Sequence, residues 1–278
     1  MSSPNTASGH WSRIARLWRH VGPPLRPCAQ ELAFFTEAVA GWRGASAPDA
    51  LLLGVTPELH GLPWPEGTKL TAVDRSQEMI DAVWPGSRSD AFCADWCELA
   101  LPPASCDLVL CDGGFTLLEY PAQQARLAAL VRRWLRPGGR CVFRLFAPPA
   151  RRESVADVMN DLRARRIPDL NALKLRLWLA LQESAEQGVE PRRVWQLVHH
   201  EAGGDLLGLA RSLGWPEEHV LALESHREST VRYHFSSPEL LARLFCDGDD
   251  GLRLVSVRYA DVPLGACCPV VLFDKPLG

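Results

Sequence analysis

The chain has 278 residues, of which 47% are hydrophobic, and a formal net charge of −3. This length fits one large domain or a domain with a cap, with the apolar content of an ordinary globular protein. The weak negative charge gives no electrostatic reason to expect nucleic acid as a partner. No apolar stretch reaches membrane-spanning length, and the polar residues 1–10 lack the apolar core of a signal peptide, so we expect a cytoplasmic protein without a membrane contact.

The nine cysteines lie mostly within apolar, strand-like runs. This placement predicts small buried side chains in a reducing compartment rather than disulfides. A zinc site would need two Cys-x-x-Cys knuckles, which the sequence lacks, so we expect no metal. Cys93-x-x-x-Cys97 and the adjacent Cys267 and Cys268 remain weak thiol or metal candidates.

The hydrophobic pattern divides the chain into four segments. Residues 1–49 predict an N-terminal helical cap, and residues 50–150 alternate strand and helix patterns. Residues 151–245 predict helices that form a lid or substrate insertion, and residues 246–278 predict strands that complete the sheet. Strand–helix alternation is typical of a parallel sheet with helices on both faces. The predicted strands are 50–53, 69–73, 90–93, 106–111, 140–146, 252–259 and 270–273.

Residues 121–135 predict the clearest helix, because apolar side chains recur on one face with a 3.6-residue period. Arg136-Pro137-Gly138-Gly139 follows directly. This tetrapeptide predicts the end of the helix and a turn into the next strand.

A glycine turn follows the first predicted strand. Gly54 allows the backbone to turn tightly beside a ligand. Thr56 is expected to cap a short helix that begins at Pro57, with Glu58 in its first turn. An ordinary strand-to-helix turn is the alternative interpretation.

A carboxylate ends the second predicted strand, about twenty residues further on, at Asp74. In α/β sheets a carboxylate at this position accepts the ribose hydroxyls of a nucleoside. Ser76 predicts the N-cap of a helix over 77–84, and Met79 is placed to pack on an adenine face. A capping role for Asp74 and core packing for Met79 are the alternatives.

Polar residues also follow the third and fourth predicted strands. Asp95 is placed to accept the adenine amino group, and Trp96 to cover the ring. Asp112 and Gly113 end the fourth strand, where reacting atoms lie in such sheets. Asp112 could equally be a loop carboxylate without a chemical role, because its position alone does not make a catalyst.

These motifs together resemble those of class I S-adenosylmethionine-dependent methyltransferases over residues 50–146. The motifs that carry the resemblance are Gly54, Asp74-x-Ser76-x-x-Met79, Ala94-Asp95-Trp96, the Leu-Pro pair before Cys106–Leu110, and Leu135–Arg140. The resemblance implies a Rossmann-like α/β fold: a seven-stranded, mostly parallel sheet with a C-terminal antiparallel hairpin and a helical insertion between strands five and six. It also implies S-adenosylmethionine as cofactor. The cofactor-binding residues it implies are Gly54, Thr56, Asp74, Arg75, Ser76, Met79, Asp95, Trp96, Asp112 and Gly113.

The first motif departs from the family pattern, which has an acidic residue followed by three spaced glycines. Residues 51–57 contain one glycine and no upstream acid. Contacts to the methionine part of the cofactor must then come from backbone amides near Thr56 and from a basic side chain. We expect residues 11–30 to fold over the cofactor and Arg26, which is flanked by prolines, to hold its carboxylate. A solvated loop arginine is the alternative.

Histidines in the insertion are candidates for a general base or a metal site. His199-His200-Glu201, His226 and His234 lie there, but no His-x-x-x-His spacing connects them. The catalytic candidates are Asp112, His199 and His234, and for each single histidine a structural role is the favoured interpretation.

The expected function is methyl transfer from S-adenosylmethionine to a small or medium-sized molecule or a peptide. The sulfonium is already activated, so catalysis needs mainly proximity and in-line orientation. A non-catalytic nucleoside-binding or scaffold subunit is one alternative, because the first motif is degraded. A nicotinamide dehydrogenase is another, although the glycine fingerprint of that fold is missing.

Overall fold

The computed structural model describes residues 12–44, 46–248 and 250–277. Its centre is a seven-stranded sheet in the order β3-β2-β1-β4-β5-β7-β6. The first five strands are parallel, whereas β7 runs antiparallel to both β5 and β6. The strands are β1 Asp49–Leu53, β2 Lys69–Asp74, β3 Ala91–Cys93, β4 Cys106–Asp112, β5 Leu135–Arg144, β6 Arg253–Arg258 and β7 Val270–Asp274. The predicted fold class is thereby confirmed.

Helices cover both faces of the sheet and form the insertion after β5. In chain order they are α1 (12–17), α2 Ala29–Ala40, α3 Pro57–His60, α4 Gln77–Val83, α5 Ala122–Trp134, α6 Val155–Arg163, α7 Leu170–Leu181, α8 Pro191–Glu201, α9 Leu206–Leu213, α10 Glu217–Leu221 and α11 Pro238–Cys246. Among the residues described, no helix has both the length and the apolar character needed to cross a bilayer.

Two hydrophobic clusters lie on opposite faces of the sheet because strand side chains alternate between the faces. Leu51 and Leu53 of β1 pack with α5 and α11 on one face. Leu52 packs with α2 and α4 on the other. Central strands buried on both sides explain the continuous apolar runs of the sequence.

A third cluster forms the core of the insertion and is centred on α7. This helix is buried on nearly all sides and is mostly apolar, as is typical of a helix within a bundle. By contrast, α11 contributes Leu241 and Phe245 to the cluster on the sheet. We therefore propose that the insertion ends before α11 rather than at residue 245.

The turn predicted at 136–139 is instead part of β5. Helix α5 ends at Trp134 and β5 begins at Leu135, with an irregular register opposite β4. Gly138 has a positive φ of 79°, which favours glycine. A Cβ on Gly139 would lie 2.8 Å from the carbonyl oxygen of Arg136. The glycines thus permit an irregular strand entry, where the sequence alone suggested a loop.

The two predicted helix caps differ in outcome. Ser76 is the N-cap of α4, and its hydroxyl accepts a hydrogen bond from the Met79 amide at 3.3 Å. Thr56 occupies the N-cap position of α3, with Pro57 following, but its side chain makes no capping hydrogen bond. The predicted short helix is present, without the predicted hydroxyl cap.

Candidate active site

A cavity of about 190 Å³ opens at the carboxyl ends of β1, β2 and β4. This edge is where open α/β sheets bind their ligands. Nine residues expected to bind the cofactor line it, namely Gly54, Thr56, Asp74, Arg75, Met79, Asp95, Trp96, Asp112 and Gly113. Sequence motifs that follow four different strands therefore meet at one cavity.

Trp96 forms a fixed wall of this cavity beside Gly54. Its indole Nε1 donates to the carbonyl oxygen of Val73 at 2.7 Å, and the same oxygen accepts the Gly54 amide at 2.8 Å. Gly54 has a φ of 102°, which requires glycine. A Cβ on Gly114 would lie 2.6 Å from the indole. Gly114 thus makes room for the tryptophan, whereas Gly54 is required by its backbone conformation.

Asp74 is held by the backbone that follows β1 and β2. Its Oδ1 accepts the Ser76 amide at 2.9 Å. Burial raises the pKa of the Asp74 carboxyl, while hydrogen bonds from the backbone amides of Ser76, Val55 and Arg75 oppose this rise. The carboxylate is therefore fixed at the rim where the ribose contact is expected. Ser76 does not line the cavity.

Asp95 and Met79 lie on the side of the cavity expected to hold the adenine. Oδ1 of Asp95 accepts the Cys97 amide at 2.7 Å, which fixes the carboxylate in an Asx turn. Met79 is 4% exposed and lies in the first turn of α4. The adenine contacts of both residues remain predictions.

Asp112 belongs to a buried charge network centred on Arg144, a residue that the sequence analysis did not single out. Arg144 Nη1 donates to Asp112 Oδ1 at 2.7 Å, and its Nε lies 3.0 Å from Glu31 Oε1. Burial raises the pKa of Asp112, and the Arg144 charge opposes the rise. The guanidinium also donates to the carbonyl oxygens of Pro24 and Arg26. Asp112 thus helps to anchor the N-terminal segment, and a chemical role for it stays a prediction.

The N-terminal segment closes part of the cavity. The lining residues from this segment are Ile14, Leu17, Trp18, Val21 and Leu25. They are apolar, and they lie within the stretch 11–30 that was expected to fold over the cofactor; residue 11 is outside the described residues.

Arg26 is engaged elsewhere and does not line the cavity. Its Nε lies 2.6 Å and its Nη2 2.5 Å from Oε1 of Glu58, in the first turn of α3. The guanidinium also lies 5.4 Å from the ring centroid of Trp18. Glu58 is an anion within reach, so this arrangement does not provide the carboxylate contact expected of Arg26.

Neither histidine chosen as a catalytic candidate reaches the cavity. His199 stacks on Trp195, with 4.5 Å between ring centroids. His234 is buried, with Nδ1 2.7 Å from the carbonyl oxygen of Ala185. The histidine that does line the cavity is His226, because the 3-10 turn after α10 carries it there.

The insertion supplies lining residues that the sequence analysis missed. These are Lys174, Trp178, Ala222, Ser225, Tyr233 and Phe235, besides His226. One signal was available: Lys174 is a buried residue of the mainly apolar stretch 170–181 of α7, in which the other polar residues are Asn171 and Arg176. A lysine within a helix buried on all sides is rarely there for packing alone.

A possible metal-ligand group lies outside the predicted set. His20, Glu218 and His219 have ligand atoms within 4.8 Å of one another, and none of them lines the cavity. Glu201, from the predicted His199-His200-Glu201 run, is instead ion-paired with Arg163 at 2.7 Å, which lowers the pKa of its carboxyl.

Residues 55–143 match a family model described as a methyltransferase domain. A comparison with curated protein sequences found no match. Among solved structures, one from Rhodobacter sphaeroides, described as a candidate Zn-dependent alcohol dehydrogenase, has a TM-score of 0.61 at 17% identity, covering 98% of this chain and 100% of the other. The CcbJ methyltransferase from Streptomyces caelestis has a TM-score of 0.53 at 13% identity, covering 97% and 98%. The N-methyltransferase NodS from Bradyrhizobium japonicum WM9, in complex with S-adenosyl-L-homocysteine, has a TM-score of 0.51 at 12% identity. The match covers 97% of this chain and 99% of NodS.

The domain match and the fold confirm the resemblance predicted from the motifs. Residues 55–143 match a methyltransferase domain, and the sheet of the chain has the strand order and directions implied by the resemblance to class I S-adenosylmethionine-dependent methyltransferases. At 12–17% identity, the likeness to solved structures concerns the fold alone.

Proposed function

We propose that the chain binds S-adenosylmethionine in the cavity and transfers the methyl group to a small or medium-sized acceptor. The observation that carries this proposal is the convergence of Gly54, Asp74, Asp95 and Asp112, which follow four different strands, on one cavity. The match to a methyltransferase domain, over residues 55–143, includes Asp74, Asp95 and Asp112 and begins directly after Gly54.

The residues present fit the cofactor at three points. Asp74, fixed by backbone amides at the end of β2, is the proposed acceptor for the ribose hydroxyls. Asp95 is the proposed acceptor for the adenine amino group, and Met79 and Trp96 are the proposed apolar contacts of the ring. The positive φ of Gly54 leaves space at the strand end that a side chain would narrow.

The chain's own contribution to methyl transfer is orientation and exclusion of water. When bound, S-adenosylmethionine would supply an activated methyl group for a lone pair of the acceptor, and its sulfur would keep the electron pair of the broken bond. Apolar side chains of the N-terminal segment, including Leu17 and Trp18, cover the cavity from one side. The insertion covers it from another with Trp178 and Phe235. A closed, oriented site of this kind is enough to accelerate an in-line displacement.

The dehydrogenase alternative has one observation in its favour, the description of the Rhodobacter sphaeroides structure. The sheet argues against it. Strand β7 lies antiparallel between β5 and β6, whereas dinucleotide-binding folds have six parallel strands in the order 3-2-1-4-5-6. The glycine fingerprint for a pyrophosphate is also missing from residues 51–57.

Substitution of Asp74 tests the cofactor assignment directly. Loss of a charged acceptor costs about 1.5–3 kcal/mol, so Asp74→Ala should weaken S-adenosylhomocysteine binding roughly tenfold to a hundredfold. Isothermal titration calorimetry on the full chain measures this. Asp261→Ala removes an exposed carboxylate in the β6–β7 connection, outside the cavity lining, and should leave the affinity unchanged.

Equal affinity of a folded Asp74→Ala variant and the unsubstituted protein would refute the ribose assignment. Tighter binding of NADH than of S-adenosylhomocysteine would favour the dehydrogenase. If the cofactor binds but no methylated product forms with any acceptor tested, the scaffold alternative gains support over catalysis.

A further inference from the structure

One buried cation faces the cavity from the insertion. Lys174 of α7 is 6% exposed and lines the cavity. Its Nζ lies 6.0 Å from the ring centroid of Trp178, one turn further along the helix. Among the described residues, no carboxylate lies within ion-pair distance of Lys174. The nearest acid along the helix, Asp169, accepts the Ala172 amide at 2.8 Å as the N-cap.

An ammonium in such surroundings is costly. Burial lowers the pKa of Lys174 to about 8, and the Asp169 charge opposes this only in part. Buried lysines are rarely retained without a compensating partner, and perturbed groups in clefts cluster at functional sites. The described residues supply no such partner, so a ligand is the remaining source of a negative charge.

The same wall of the cavity is aromatic. Trp178 lies edge-on to Tyr233 at 5.2 Å and stacks near Phe235 at 6.4 Å between ring centroids. The indole N–H groups of Trp178 and of Trp18, another lining residue, are buried without a hydrogen-bond acceptor among the described residues. Rings flanked by unused donors suit a planar ligand that carries acceptor oxygens.

Charge divides the cavity into two ends. Asp74, Asp95 and Asp112 lie at the sheet, and Arg75, the other strongly basic lining residue, follows β2 beside Asp74. Asp112 is already paired with Arg144, but Asp74 and Asp95 repel an anionic group at the sheet end, whereas Lys174 attracts one at the insertion end. The acidic end suits the nucleoside of the proposed cofactor, and the insertion end suits a negatively charged acceptor.

We propose that the acceptor is an aromatic carboxylate whose ring packs against Trp178, Tyr233 and Phe235 and whose carboxylate pairs with Lys174. This inference rests on the proposed function, because it names the substrate class of the same site. It assigns Lys174 to binding and specificity. The methyl-accepting atom is a different group of the acceptor, held toward the sheet.

The carboxylate could come from a second source, the methionine part of the cofactor. The experiment therefore uses two ligand pairs. The first compares benzoate, cinnamate and indole-3-acetate with their neutral amides. The second compares S-adenosylhomocysteine with 5′-methylthioadenosine, which lacks the carboxylate. Titration calorimetry is performed on the full chain, with the acceptor probes measured at saturating S-adenosylhomocysteine.

We expect at least one of the three carboxylates to bind tenfold or more tightly than its amide. Lys174→Met should reduce this preference to less than twofold, Lys174→Arg should restore part of it, and Lys69→Met should leave it intact. Lys69 is the matched control, because it is exposed at the start of β2 and outside the cavity lining. The affinity for S-adenosylhomocysteine should be the same in all variants.

Three results would overturn the inference. The first is that none of the three carboxylates binds more tightly than its amide, and the second is that the preference survives in folded Lys174→Met. The third is that Lys174→Met loses affinity only for S-adenosylhomocysteine and keeps its affinity for 5′-methylthioadenosine. The last would assign Lys174 to the cofactor. Failure of the proposed function gives a different result, because S-adenosylhomocysteine would then not bind the unsubstituted protein, whatever its preference between carboxylates and amides.

Discussion

The buried ammonium of Lys174 should make the folded protein less stable at neutral pH than a variant with an uncharged side chain there. Burial lowers the pKa of Lys174 from 10.5 to about 8. Each pH unit of difference corresponds to about 1.36 kcal/mol, so the charged form costs about 3 kcal/mol in the folded state. Methionine has a similar length without the charge, so Lys174→Met should raise the free energy of unfolding at pH 7 by about 1–3 kcal/mol.

The stability difference between the two proteins should depend on pH, because Lys174 loses its proton at a lower pH in the folded state than in the unfolded state. Below about pH 8, both the folded and the unfolded protein carry the proton, and the full cost is present. Between about pH 8 and 10.5, the folded state releases the proton first, so the unsubstituted protein gains stability with rising pH from this group. The difference between Lys174→Met and the unsubstituted protein should therefore shrink across that range.

Urea denaturation followed by tryptophan fluorescence measures both effects, because the chain contains ten tryptophans. Measurements at pH 7 and pH 9.5 are compared for Lys174→Met and for the exposed control Lys69→Met. The reasoning is refuted if Lys174→Met is no more stable than the unsubstituted protein at pH 7, or if the difference stays constant with pH. A more stable variant with a weaker carboxylate preference would mean that stability is sacrificed for binding at this position.

Two further substitutions probe the packing of Trp96 and the buried charge network around Arg144. Gly114→Ala should force the Trp96 indole to move, because the new Cβ would lie 2.6 Å from it. We expect thermal denaturation to show a loss of about 1–3 kcal/mol of stability, and calorimetry to show weaker S-adenosylhomocysteine binding. Gly61→Ala, whose nearest contact is at 3.6 Å, is the control and should change neither property. Arg144→Met leaves two buried carboxylates without their arginine partner, so it should lower the free energy of unfolding in urea by about 3–5 kcal/mol. Arg253→Met removes a solvent-exposed arginine from its ion pair and should lower it little. Equal losses of stability in the two variants would contradict the buried network.

Local features of the sequence predicted the sheet and the residues that line the cavity at its edge. The apolar runs predicted all seven strands within a few residues, apart from the early start of β5 at Leu135. Ser76 identified the start of α4 because a capping hydroxyl acts on amides two or three residues away. Gly54, Asp74 and Asp95 meet in one cavity because parallel strands place their carboxyl ends at the same edge.

Partners distant along the chain were beyond sequence reasoning. Arg26 was expected to hold a cofactor carboxylate, yet it pairs with Glu58, 32 residues away. Asp112 is bound by Arg144, also 32 residues away, and no local pattern distinguishes that arginine from the others in the chain. An arginine pairs with the carboxylate that the fold brings nearest, and the packing of helices and strands determines which carboxylate that is.

The sequence by itself determined the fold class, most strand ends and the residues that line the cavity at the sheet edge, because periodicity, capping and strand termini are local properties. Tertiary structure decided what faces that edge. The insertion brings His226 to the cavity and leaves His199 and His234 outside it. It also buries Lys174 beside Trp178. These positions depend on how a helical bundle packs across the carboxyl ends of the strands, and side-chain environment in such a bundle is set by long-range packing that periodicity does not encode.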